Sequence, residues 1–283
     1  MTQLEDLVAR VETWKALDRV AEPLARAVGR AVRPAPVRNV LSGTVIGHPL
    51  HPLLTDVPIG AWTMAAVLDL TGGPTTARAA DVLVAAGLAA AVPTAATGLN
   101  DWSDTQGADR RIGLVHATAN SVALTFYTAS LAARLRGRRG AGRALALVGY
   151  GCVTGGGYLG GHLVFARGVN VNRTAWRRGP RRWTDVLADA ELAAGEHRRV
   201  PAGSVSVLLV RDGDRVEALD SVCSHLGGPL EEGTVDGGCV TCPWHGSTFR
   251  LADGAVVRGP ATAAQPSYET RVEEGRIQVR RRP

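Results

Sequence analysis

Three stretches of this 283-residue chain carry no charged side chain: residues 82–100, 112–133 and 144–166, of 19, 22 and 23 positions. At about 1.5 Å of rise per residue, each is long enough as a helix to cross a hydrocarbon layer of about 30 Å. A fourth stretch, residues 53–71, has an apolar middle flanked by Asp56 and Asp69. Gly72-Gly73-Pro74 separates the first span from the second, and the segment Arg136 to Arg143 separates the third from the fourth. Short turns make antiparallel neighbours. The reading is a four-helix transmembrane domain over residues 40–166, with helices at about 53–71, 78–100, 112–135 and 144–166 running up-down-up-down.

Before it, residues 1–39 place Leu4, Leu7, Val8, Val11 and Trp14 on one helical face with charges opposite, the pattern of a helix lying at a membrane interface or packing on a neighbour. Acidic residues interrupt this face, and no cleavable apolar core or twin-Arg signal is expected there. The formal net charge is +6, almost all from Arg, with Lys15 the only lysine. No recognition motif or interleaved aromatics accompany it, so anionic lipid headgroups, and not nucleic acid, are the expected partner. With four spans, both termini share a side with the Asp101–Arg111 loop. That side carries ten membrane-proximal arginines against six on the other. The positive-inside rule places both termini in the cytoplasm, although the compact 134–143 Arg cluster pulls the other way.

Residues 167–183 are basic and bear Trp176 and Trp183, and read as a linker along lipid. From 184 to 283 the pattern becomes short alternating strands, among them Val205–Val210, Val216–Leu219, Tyr268–Val272 and Ile277–Arg280, broken by Asp-Gly and Glu-Gly turns. That is a small all-β domain. The whole is thus an α + β multidomain chain. Two loops of the β domain each hold a Cys–His pair, Cys223-x-His225 and, after sixteen intervening residues, Cys242-x-x-His245. Two thiolates and two imidazoles suit a mixed-ligand iron–sulfur cluster or a structural zinc ion, and spacing does not separate these. Cys239 reads as a strand residue beside the second loop, and Cys152 as packing within an apolar span.

The flanking residues carry more. Cys223-Ser224-His225-Leu226-Gly227-Gly228-Pro229-Leu230 with Cys242-Pro243-Trp244-His245-Gly246-Ser247-Thr248-Phe249 resembles the cluster loops of Rieske [2Fe–2S] ferredoxins and of the Rieske domains of ring-hydroxylating oxygenases. The resemblance implies that Cys223 and Cys242 hold one iron, and His225 and His245 the solvent-facing one. In Rieske proteins of the cytochrome bc type each loop carries a bridging Cys. Gly228 and Trp244 stand at those positions, and Phe249 stands where that type has a Tyr whose hydroxyl bonds a sulfur. Fewer donors to sulfur imply a low potential, with Ser247 one remaining donor. A ring-hydroxylating activity would require a second, catalytic domain, and the roughly 100 residues of the β region have no room for one. No catalytic residue is assigned.

Residues Gly47-His48-Pro49-Leu50-His51-Pro52, Asp56-Val57-Pro58-Ile59-Gly60 and Gly160-Gly161-His162-Leu163-Val164 resemble a family of predicted four-helix bacterial membrane proteins, over roughly residues 40–170. This implies a multi-pass protein of a bacterial cell membrane and adds no activity. His48, His51, His116 and His162 all fall toward one side of such a bundle, and ionisable groups at membrane depth mark function. Three readings stand. A haem b would take a pair from facing helices, for example His116 with His162; a non-haem metal would add Asp56 or Asp101; or the histidines cap helix ends or line a quinone pocket. The expectation overall is a membrane-anchored, ferredoxin-like [2Fe–2S] electron carrier exchanging single electrons with a soluble or membrane redox partner. A membrane oxidoreductase with a haem, metal or quinone site, or a tethered iron–sulfur sensor, is the alternative.

Overall fold

A computed structural model describes residues 3–282. The chain divides into two compact units, one of residues 3–33 with 50–169, the other of residues 34–49 with 170–282.

The first unit is helical. Helices α1 (Gln3–Thr13) and α2 (Asp18–Ala31) precede four long ones: α4 (Leu50–Thr71), α5 (Ala77–Trp102), α6 (Gly107–Leu135) and α7 (Arg139–Gly161), α3 belonging to the other unit. Each long helix reaches further than its uncharged stretch. Helix α7 begins at Arg139 because its basic first turn finds acidic partners: Arg139 Nη2 donates to Asp81 Oδ2 at 2.5 Å, and Arg143 lies 3.4 Å from Asp69. Within this network the Arg134 guanidinium, fully buried, donates to the carboxylates of Asp69 and Asp81 and to Ser130 Oγ. Buried charges persist only when paired in this way.

Above that network the indole of Trp62 stacks on the Tyr127 ring at 4.1 Å, in a core completed by Ala65, Val84, Ala123, Ala146 and Val153. The outward faces remain apolar: Val57, Met64, Leu70, Val82, Val92 and Leu147 are all exposed. Only α4 and α5, among the described residues, are long and apolar enough by composition to cross a membrane. Helix α6 falls short because Asn, Ser and Thr interrupt it, and α7 because nine of its 23 residues from Arg139 to Gly161 are glycine. Helix α7 closes in a π-turn at His162–Ala166.

Two expectations are corrected. Among the described residues, the segment 3–39 is not one element. Helix α1 packs on α6, buries Val8 and leaves Leu4 and Leu7 outward. Arg111 on α6 holds it there, donating to the Asp18 carboxylate at 2.8 and 2.9 Å and to the Glu12 carbonyl. Residues 34–49, with α3 (Ala35–Ser42), instead join the β unit, because their polar side chains satisfy backbone groups there. Asn39 Oδ1 accepts from Gly259 N at 2.8 Å, and Thr44 Oγ donates to Ala261 O at 3.0 Å.

The basic segment 167–183 likewise is not a free linker, since from Asn170 onward it folds into the β unit. Arg173 N donates to Ser224 O, Gly179 lies against the Tyr268 ring, and the Trp183 ring is covered by the guanidinium groups of Arg271 and Arg280 at 4.4 and 4.5 Å. Within it Arg177 pairs with the buried Asp220 carboxylate of the same unit.

The β unit holds two antiparallel sheets. The strands are β1 (Thr184–Ala188), β2 (His197–Ala202), β3 (Val205–Asp212), β4 (Arg215–Asp220), β5 (Thr234–Asp236), β6 (Cys239–Thr241), β7 (Thr248–Arg250), β8 (Val256–Arg258), β9 (Ser267–Glu273) and β10 (Arg276–Arg281). The larger sheet has the order β1-β10-β9-β4-β3-β2 and the smaller β5-β6-β7-β8. Two-residue hairpins set the register. Gly213-Asp214 joins Asp212 to its partner Arg215, and Glu274-Gly275, both at positive φ, joins Glu273 to Arg276. Strand β3 is buried on both faces. Val207 and Leu209 enter one core with Ile277 and Val279, while Leu208 and Val210 enter another with Phe249 and the two loop cysteines.

Candidate metal centre

The two Cys–His loops are built alike. Between β4 and β5, Gly227 N donates to Cys223 O at 2.9 Å; between β6 and β7, Gly246 N donates to Cys242 O at 3.1 Å. Each turn closes on a glycine in the left-handed region, φ 84° at Gly227 and 75° at Gly246, which a side chain would strain. Cys223 N bonds Gly228 O and Cys242 N bonds Ser247 O, both at 2.8 Å, pinning each loop behind its cysteine.

This construction brings like ligands together. Cys223 and Cys242 are buried with their sulfurs in hydrogen-bond contact, and the His225 and His245 rings lie 5.2 Å apart at 87°. The Cys223 thiol donates to Cys242, which also receives the backbone N–H groups of Trp244 and His245; together these pull its pKa down to about 7 against burial. Cys223 receives the N–H groups of His225 and Leu226 in the same way. Four amides aimed at two sulfurs are the donors that thiolates bound to iron require. No three His, Cys, Asp or Glu side chains converge among the described residues as a single ion would need. The ligands come as two pairs, and that fits a two-iron cluster with thiolates on one iron and imidazoles on the other.

The neighbours fill the remaining positions. A side chain at Gly228 would meet Cys242 Sγ at 2.8 Å and the Trp244 ring at 3.1 Å, and Phe249 is fully buried with no hydroxyl to offer. Ser247 Oγ is engaged by Ala261 N at 3.0 Å. Of the two imidazoles His245 is the accessible one, half-buried beside Trp244, which is 54% exposed, whereas His225 is buried.

Several supporting residues escaped the sequence reading. Buried Gln265 clamps the first loop, accepting from Ser224 N at 3.0 Å and donating to Asp220 O and Val222 O at 2.7 Å. The Asp220 carboxylate accepts from Val222 N and from Arg177 Nε, at 2.8–2.9 Å. Its pKa is nevertheless raised, because burial outweighs that partner. Arg258 Nη1 donates to Gly246 O at 2.6 Å. None carries a local signal, since each acts across a long sequence gap.

The other candidate histidines scatter. His48 is exposed in the β unit and lies 2.9 Å from Pro49 O. His162 lies 3.5 Å from Glu12 and is not the partner of His116. His116 instead faces His51, with ring centroids 6.4 Å apart. Asp56 is exposed, and Asp101 accepts from Asn100 Nδ2 at 3.0 Å. Cys239 opens β6 opposite Arg250, as a strand residue.

Fold and ligand pairs define a Rieske iron–sulfur domain, and the comparisons agree. The profile of the Rieske [2Fe-2S] domain matches residues 182–269, and that of a predicted membrane protein family (DUF2231) matches residues 47–173. The chain belongs to the Rieske [2Fe–2S] family through its β unit and carries a DUF2231 domain before it. It is 34% identical to Ferredoxin CarAc of Metapseudomonas resinovorans, over 34% of this chain and 92% of that one. Identity is 32% to the anthranilate 1,2-dioxygenase ferredoxin subunit of Burkholderia cepacia, over 34% of this chain and 90% of that one. Among solved structures it is similar to the ferredoxin of carbazole 1,9a-dioxygenase from Nocardioides aromaticivorans IC177, at 26% identity and a TM-score of 0.34, over 35% of this chain and 98% of that one.

Proposed function

We propose that the chain is a membrane-anchored, low-potential electron carrier whose Rieske unit passes single electrons to or from a redox partner. The observation that carries this reading is the pairing of two buried thiols and two imidazoles on equally built loops, with His245 at the accessible edge. Cys223, Cys242, His225 and His245 would hold the cluster. A [2Fe–2S] group supplies storage for one electron at a time. The loops do the rest: they hold the sulfurs in a dry pocket, direct four amides at them, and keep an imidazole edge near the surface. The relative named as an anthranilate 1,2-dioxygenase ferredoxin subunit supports a partner of the oxygenase class.

The same environment sets the potential. With no loop disulfide and no tyrosine hydroxyl at Phe249, the midpoint belongs at the low end of the Rieske range of about −150 to +300 mV. Redox titration of the purified chain, followed by electron paramagnetic resonance, tests this; a midpoint in the upper part of the range refutes it. His225→Cys should alter or abolish the mixed-ligand signal, and an unchanged signal would remove the ligand assignment.

Membrane anchoring rests on the DUF2231 match and on the apolar outer faces of α4 to α7. Four spans with both termini and the Rieske unit in the cytoplasm follow from the arginine count. A C-terminal reporter active only outside the cytoplasm would invert that topology.

A further inference from the structure

The four long helices are two copies of one hairpin. The buried residues of α4, Pro58, Trp62, Ala65 and Asp69, recur at a constant offset as the buried residues Ala123, Tyr127, Ser130 and Arg134 of α6. In the second helix of each hairpin, Ala80, Val84, Gly87 and Thr94 of α5 recur in the same way as Gly142, Ala146, Gly149 and Gly156 of α7. Contacts repeat with the positions. Gly87 makes room for Trp62 as Gly149 does for Tyr127, and these equivalent rings stack on each other. Equivalent Asp69 and Arg134 pair with each other. Helices α4 and α6 each pack on α5 and α7, so they oppose one another across the bundle, along a pseudo-two-fold axis.

At that same offset, His51 of α4 is the equivalent of His116 of α6. Their anchoring bonds match. His51 Nδ1 lies 3.0 Å from Thr94 O, and His116 Nδ1 lies 2.7 Å from Gly156 O, the equivalent carbonyl. A carbonyl only accepts, so each Nδ1 carries the proton and each Nε2 carries the lone pair. This is the tautomer and anchoring of a metal-ligating histidine. Gly98 and Gly160, again equivalent, leave the rings their space: a Cβ there would meet His51 at 2.7 Å and His116 at 3.1 Å. Asn120 Nδ2 lies over the His116 ring at similar distances from both nitrogens, 3.4 and 3.3 Å, and so does not occupy the in-plane lone pair; its bond is to His116 O at 2.9 Å.

We propose that His51 and His116 are the two axial ligands of a b-type haem held between the hairpins. Two imidazoles bound through nitrogen at about 2 Å on opposite sides of one iron hold their ring centroids roughly 6 Å apart. The observed separation is 6.4 Å, with the rings at 88°. The number of ligands selects haem over a bare ion. Zinc takes three or four protein ligands, and no third His, Cys, Asp or Glu joins this pair among the described residues. Haem iron receives four nitrogens from the porphyrin and needs only two from the protein. The inference does not depend on the cluster, which lies in the other unit.

The test uses the full-length chain in detergent, titrated with hemin and also isolated from cells fed a haem precursor. The expected result is one haem b per chain, with the low-spin optical and paramagnetic signature of two imidazoles. His51→Gly and His116→Gly should each lose that signature and regain it on adding free imidazole, which separates ligand loss from misfolding. His162→Ala and His48→Ala should leave it unchanged. The proposal is overturned if protein with an intact cluster signal takes up no hemin. It is also overturned if bound haem ignores both glycine substitutions, or if these substitutions release a non-haem metal instead. The cluster signal, unmoved by substitutions at His51, reports separately on the reading of the Rieske unit.

Discussion

At the residue scale, the cluster loops depend on side chains that never touch a ligand atom. Gln265→Ala would leave Ser224 N, Asp220 O and Val222 O without their partner in a buried place. An unmet buried group costs about 1–3 kcal/mol, so the unit should lose roughly 2–4 kcal/mol and bleach its visible absorbance at lower temperature. Loss of less than about 0.5 kcal/mol in a melting curve would deny Gln265 this role. Asp220 carries the pH dependence. Burial raises its carboxyl above the ordinary 3.8, so the native chain holds this proton to higher pH than the unfolded chain. Stability therefore falls as pH rises from the ordinary value through the native one. Arg177 opposes the burial, so Arg177→Ala should push the carboxyl further up and destabilise the unit at neutral pH by up to about 3–5 kcal/mol. Acidification toward pH about 5 should restore part of the loss. Denaturant melts of the variant at both pH values check it, and a loss that grows on acidification contradicts the assignment.

At the scale of elements, glycines decide how closely the helices approach. Alanine ordinarily improves a helix interior over glycine by about 1 kcal/mol. At Gly87 the sign should reverse, because the new Cβ would stand 2.3 Å from Trp62 Nε1 and push the indole off Tyr127. Gly87→Ala is expected to cost about 1–3 kcal/mol in detergent melts. Gly149→Ala, at 3.1 Å from the Tyr127 ring, should cost less. Equal, stabilising effects at both positions would mean that the ring stack yields freely. The short segment around α3 behaves as part of the β unit through Asn39 and Thr44. Asn39→Ala leaves the Gly259 amide without its acceptor and should destabilise the unit by about 1–3 kcal/mol, read as a lower melting temperature of the cluster absorbance. An unshifted melt would show the segment to be a passenger.

For the whole molecule, two units are interleaved in sequence: the chain enters the β unit at Pro34, leaves it after Pro49, and returns at Asn170. A boundary drawn by composition at residue 40 or 184 cuts through this arrangement. Composition reports where apolar residues are dense. It does not report which unit satisfies the amide of Gly259 or the charge of Arg177.

The two Cys–His pairs proposed as cluster ligands were legible in the sequence because their chemistry is local. A Cys, a His two or three residues on and a closing Gly make a self-contained turn, and the Asp-Gly and Glu-Gly signals placed hairpins where β3–β4 and β9–β10 have them. The long helices were legible from their uncharged lengths. What depended on contacts across the chain was decided only in three dimensions. Sequence placed four histidines toward one end of a bundle, but only packing united His51 with His116 and gave His162 to Glu12. The hairpin duplication stayed hidden for the same reason: its halves meet as complements, Trp62 on Tyr127 and Asp69 with Arg134, and complementary residues are by nature unlike in sequence. Local patterns record what one segment does for itself; pairing energies between distant segments are settled when the fold brings them into contact.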